Sequence, residues 1–215
     1  MKSAMPRFFK AVCILLAATF LAAPGPMFRP SEFTGPDLVA FERLSDYLNG
    51  IHSMRGNFLQ IDPNGAAEQG DFYIVKPGKM RFEYQPPNPT LVVSDGKTVA
   101  VFNKQLNTVD TYPLYATPLN LLLSDDVKLQ NNQNVMGLTR QSGELIVYVK
   151  SGSGGRTSGG NITITFADSP LELRQWTIVD AQGLSTTVSL RDVQTGVDLP
   201  DKFFTLTGDK KEPAQ

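Results

Sequence analysis

The sequence predicts a mainly β fold: a single curved antiparallel sheet, or unclosed antiparallel β-barrel, of about 10–11 strands with lid helices on its concave side. Three observations carry this reading. From Gly56 onward, apolar residues recur with a period of two in short runs separated by tight turns. Helical periodicity precedes them near residues 36–49 and interrupts them near 117–123. Strands and helices do not alternate, which excludes a doubly wound parallel sheet.

The elements follow in chain order. Lys2, Arg7 and Lys10 precede an apolar run from Ala11 to Ala23 that Pro24-Gly25 ends. This is the pattern of a secretory signal, and the run is shorter than the ~20 residues of a membrane span. Residues 24–35, rich in proline and glycine, read as a flexible leader. An amphipathic helix begins near Pro36, where proline suits the first turn, and ends at Asn49-Gly50. Leu38, Phe41, Leu44 and Leu48 form its apolar stripe. Short strands follow around Phe58 and Gln60, and around Phe72 and Ile74. The clearest alternation sets Met80, Phe82 and Tyr84 on one face and Lys79, Arg81 and Glu83 on the other. Ser94-Asp95-Gly96 joins two further strands as a hairpin turn, and another strand spans Thr108 to Tyr112. Thr117-Pro118 is the expected start of a short helical turn bearing Leu119, Leu121, Leu122 and Leu123. Strands resume over 144–150, 161–166, 173–180 and 184–193, the first two joined by the Gly/Ser-rich run 151–160. No domain boundary interrupts residues 36–207, and residues 208–215 read as a polar tail.

Composition narrows the chemistry. The chain has 215 residues, 41% of them hydrophobic and 19% charged, enough to bury a core. Removing residues 1–23 takes three of the 20 Lys+Arg and none of the 21 Asp+Glu, moving the charge from −1 to −4. That balance gives no basic footprint for nucleic acid. Cys13 lies in the signal, so the mature chain has no thiol. His52 has no Cys or His companion and lacks the activating partner that catalysis needs. Asp95-Gly96-Lys97-Thr98 resembles the end of a phosphate loop, but leucine stands at 91 where that loop needs glycine. The Gly/Ser run precedes a strand rather than a helix, there is no Gly-x-Ser-x-Gly elbow, and Asp125-Asp126 lack further oxygen ligands for calcium. Neither an enzyme nor a metal or cofactor site is expected. Lys76, Lys79 and Arg81 are a solvated strand face or a docking site for an acidic partner.

Lys76-Pro77-Gly78-Lys79-Met80-Arg81-Phe82-Glu83-Tyr84, followed by Ser94-Asp95-Gly96-Lys97, resembles the outer-membrane lipoprotein carrier family, LolA. In the same order come Gly56 to Gln60, Gly70-Asp71-Phe72, Thr117-Pro118-Leu119, Leu171 to Trp176, Asp180 with Gly183, and Phe203-Phe204. The resemblance covers roughly residues 36–206. It implies an unclosed β-barrel under a helical lid, and a monomeric periplasmic chaperone. Such a chaperone takes acylated lipoproteins from an inner-membrane ABC transporter release complex and delivers them toward an outer-membrane receptor.

The resemblance further implies a lipid-binding cavity lined by Phe58, Phe72, Ile74, Met80, Phe82, Tyr84, Val92, Phe102 and Trp176. Phe41, Leu44, Leu48, Leu119 and Leu122 would be the underside of the lid, and Lys76, Lys79 and Arg81 a lid latch or docking site. Members often carry arginine before the proline of this strand. Lys76 stands there instead, and a lysine cannot make arginine's two-pronged contact. By periodicity alone the same apolar residues are equally an ordinary filled core. The functional alternative is a lipid-sensing or regulatory periplasmic domain of the same fold. A sensor is expected to add an interaction domain, for which about 190 residues leave no room.

Overall fold

A computed structural model describes residues 33–150 and 160–207 of the protein. The expected signal, most of the leader, the tail and nearly all of the Gly/Ser-rich run lie outside the described residues.

The first helix, α1 (Gly35–Gly50), starts where Thr34 donates its backbone N–H and its hydroxyl to the Asp37 carboxylate. Eleven strands follow. The first six are β1 (Ser53–Ile61), β2 (Ala67–Val75), β3 (Lys79–Tyr84), β4 (Thr90–Asp95), β5 (Thr98–Asn103) and β6 (Thr108–Pro113). After a 3-10 turn at Leu114–Ala116 and the four-residue helix α2 (Asn120–Leu123) come β7 (Val135–Gln141) and β8 (Glu144–Lys150). The last three are β9 (Asn161–Asp168), β10 (Leu171–Val179) and β11 (Ser185–Thr195). All pairings are antiparallel in one sheet of order β6-β5-β4-β3-β2-β1-β11-β10-β9-β8-β7, so β6 and β7 are unpaired edges and the barrel does not close. The main apolar cluster fills the concave side beneath both helices.

A repeated Gly-x-Phe sets the centre of the sheet. Gly56 pairs with Phe72, Phe58 with Gly70, and Asn57 with Asp71, whose carboxylate accepts the Asn57 amide at 2.6 Å. A Cβ on Gly70 would meet the Phe58 ring at 2.7 Å, and one on Gly56 would meet the Phe72 ring at 2.9 Å. Each ring therefore lies over the neighbouring strand's glycine, space that no larger residue could leave.

Strand β7 is absent from the expected strands, because its register shifts between Val135 and Gly137, burying both, and leaves no clean alternation. Two expectations change. The second helix starts at Asn120, not at Thr117, whose hydroxyl instead donates to Leu114 O and closes the 3-10 turn. Leu38, expected on the buried stripe of α1, stays 44% exposed, while Ala40 and Ser45 join Phe41, Leu44 and Leu48 underneath.

Candidate functional site

The concave face is organised in cross-strand rows. One runs Gly56–Phe72–Phe82–Val92–Val101, and the next Met54–Ile74–Met80–Ser94–Val99–Tyr112. Phe82 stands at the centre of an aromatic group: its ring centroid is 5.0 Å from Phe58, 5.8 Å from Phe72 and 6.1 Å from Trp176. Phe58 also meets Tyr84 at 4.9 Å. The Tyr84 hydroxyl donates to Gln60 at 2.7 Å, and burial pushes its pKa up to about 12, so it remains a neutral polar end to an apolar wall.

Beneath α2 this wall encloses a cavity of about 10 Å³, room for one water. Ile74, Met80, Phe82 and Trp176 line it from the sheet, and Leu119 and Leu122 from above. The sequence reading missed Met54, Leu123 and Leu173. Met54 continues the period-two face of Gly56 and Phe58 and was legible. Leu173 was not, because the register shift between Leu173 and Gln175 puts it on the same face as Trp176, three residues on. Phe58, Phe72 and Tyr84 back the cavity through the ring group, and half-buried Val92 packs against the same cluster.

Phe102 is a correction. It pairs with Leu91, which pairs with Glu83, so it lies on the outer face, away from Phe82. Val99 to Phe102 is apolar throughout, and the hairpin register, not the alternation, decides its faces. Outer-face Leu91 and Val93 are fully buried and stand apart from the main cluster. The 3-10 turn Asp201–Phe204 packs over β3 and β4 there, with Phe203 against Tyr73 at 5.3 Å.

Of the three candidate latch residues, Lys76 reaches the lid. Its Nζ donates to Leu48 O, near the C-terminus of α1, at 2.7 Å. Burial brings its pKa down to about 8 against the opposing pull of Asp125. Lys79 and Arg81 are corrected as latch residues, since both point to the outer face. Lys79 pairs with Asp201 at 2.7 Å, and Arg81 with Glu83 at 3.1 Å.

The two helices are held differently. Arg140 Nη1 meets Asp37 at 2.6 Å, and this contact, with the Thr34 bonds, holds the Asp37 carboxyl down at about 2. Arg43 Nη2 meets Asp168 at 2.6 Å, Tyr47 OH accepts the Leu173 N–H, and Ser45 Oγ accepts the Leu129 N–H. Asn49 exchanges two bonds with the Val127 backbone. Helix α2 is tied to the sheet by the Gly78 N–H to Leu123 O bond at 2.8 Å. The underside of α1 belongs to the main cluster but does not line the cavity. No buried polar side-chain atom among the described residues lacks a partner, and no group of three or more His, Cys, Asp or Glu there could hold a metal. No helix among them is long and apolar enough to cross a membrane.

Residues 49–207 match the model of the family described as outer membrane lipoprotein carrier protein LolA. Three proteins named outer-membrane lipoprotein carrier protein are similar to the chain. That of Cupriavidus pinatubonensis is 26% identical over 78% of this chain and 83% of its own length. That of Methylococcus capsulatus is 26% identical over 75% and 80%, and that of Chromohalobacter salexigens 27% identical over 76% and 80%.

Proposed function

Because the chain belongs to the outer membrane lipoprotein carrier protein family, LolA, we propose that it carries acylated lipoproteins across the periplasm with their acyl chains shielded beneath α2. Its partners on this reading are an inner-membrane ABC transporter release complex and an outer-membrane receptor. The observation that carries the mechanism is the cavity: lined by apolar residues alone, among them Met, Leu and Trp, and roofed by a four-residue helix. In the closed form the protein's own leucines fill the space that acyl chains would take.

The magnitudes permit that exchange. Burying a leucine is worth about 1.5–3 kcal/mol, so withdrawing Leu119, Leu122 and Leu123 costs roughly 5–9 kcal/mol. Shielding ten methylenes at ~0.8 kcal/mol each returns about 8 kcal/mol. Terms of matched size let a chain displace α2 on loading and let α2 displace the chain on delivery. Methionines 54 and 80 suit such a wall, because an unbranched thioether repacks around different shapes.

Trp176, the single tryptophan of the sequence, lines the cavity and serves as the reporter. A triacylated lipopeptide with brominated chains is expected to quench its fluorescence stoichiometrically. Full retention of emission at saturating lipopeptide contradicts binding at this site. Preference for free phospholipid over lipopeptide in the same titration favours the sensing role instead.

A further inference from the structure

Four of the seven large hydrophobic residues exposed among the described residues fall within ten positions: Leu106, Val109, Tyr112 and Tyr115. They mark the free edge of the sheet, where all six residues of β6 are exposed. Two of them adjoin the apolar interior. Tyr112 ends the row Met54–Ile74–Met80–Ser94–Val99–Tyr112, in which Ser94 and Val99 are buried. At ~4.8 Å per strand, the three steps from Met80 to Tyr112 span about 14 Å, within the reach of an extended acyl chain.

Tyr115 is 76% exposed although its neighbour Leu114 is buried in the same cluster as Val99, Met80 and Leu122. The Leu114 N–H is held by Lys97 O at 2.8 Å and its carbonyl by Thr117, so the turn fixes Tyr115 outward. Four residues later, Leu119 reaches the cavity. An exposed aromatic pair is thus joined to the underside of α2 by a row of buried side chains, apolar but for Ser94.

We propose that Tyr112 and Tyr115 form a landing surface for the acyl chains of the cargo, which then pass along the Val99–Met80 row beneath α2. Tyrosine suits that place, since its ring offers apolar area and its hydroxyl stays wet. This inference rests on the carrier reading, and its novelty is the route and the two positioning residues. Neither touches the cavity, so they set the rate of loading more than its end point.

The test uses the full mature chain and a fluorescent triacylated lipopeptide presented in phosphatidylcholine vesicles. Tyr112→Ser/Tyr115→Ser is expected to slow uptake about fivefold or more, with final occupancy within twofold and an unchanged melting temperature. Leu184→Ser, at an exposed leucine on the β10–β11 turn, is the control and leaves the rate unchanged. An unaltered rate in the double variant overturns the landing surface while leaving the carrier reading intact. A lowered melting temperature, with rate and occupancy falling together, shows a structural role and overturns it too. A wild-type chain that takes up no lipopeptide overturns the carrier reading and the route with it.

Discussion

The two helices that cover the concave face do different work. Helix α1 lies over a wing whose buried residues are largely β-branched, such as Val135, Val147, Val149, Ile162 and Ile164. These side chains are stiff about χ1 and pack in one way. Salt bridges to Asp37 and Asp168 and the contacts of Ser45, Tyr47 and Asn49 hold the helix along its length. Helix α2 lies over methionine, leucine and aromatic rings, is one turn long, and leaves a water-sized void beneath it. On the proposed function, the stiff wing anchors the fold, the wall under α2 is where shape changes, and the single lid expected from the sequence divides into a clamp and a flap.

Truncation of the two undersides separates them most sharply. Leu44→Ala should cost about 3–5 kcal/mol in chemical denaturation, because the clamped helix cannot settle into the void. Leu122→Ala should cost about 2 kcal/mol, the low end for such changes, and should speed lipopeptide uptake. Equal losses at both sites would erase the distinction.

The lysine at the end of the clamp gives a smaller, pH-dependent effect. Lys76 is a cation whose pKa is lowered in the closed form to about 8 from the ordinary 10.5. Between those values the folded chain has released a proton that the unfolded chain, with Lys76 in water, keeps. Stability therefore gains as pH rises from about 8 to about 10.5, and the cost of burying the charged amine is full below 8. Relative to Lys76→Met, the wild type should be more stable to chemical denaturation at about pH 10 than at about pH 7.5. A wild-type stability that falls over this range relative to Lys76→Met reverses the sign.

The smallest effect is at the far end of α1. The Arg140–Asp37 pair is solvent-exposed, so Arg140→Met should lower stability by no more than about 1 kcal/mol. It should also lessen, without removing, the loss of stability expected as wild-type Asp37 protonates between about pH 4 and pH 2, because the Thr34 bonds remain. Thermal melts across that range check it.

The sheet was legible wherever alternation was clean, as in Lys79–Tyr84, and wherever a hairpin turn stood in the sequence. It was illegible at bulges. Val135 to Gln141 and the stretch from Leu173 to Trp176 each shift register by one residue, which flips every later side chain and defeats a period-two reading. Phe102 was misplaced because Val99 to Phe102 is apolar on both faces, so only the hairpin register assigns them; Asp201–Phe204 covers the outer face of the neighbouring β3 and β4. The division of the lid was out of reach for a similar reason. Residues 78–126 positions away along the chain supply the clamps of α1, and spacing in the sequence does not reveal them.

Hydrogen exchange along the backbone, with and without triacylated lipopeptide, tests the clamp and flap most directly. The account predicts that lipopeptide changes the exchange of residues 114–124 while α1, Gly35–Gly50, keeps the protection it has alone. Opening of α1 on lipopeptide binding, with residues 114–124 unchanged, would contradict it.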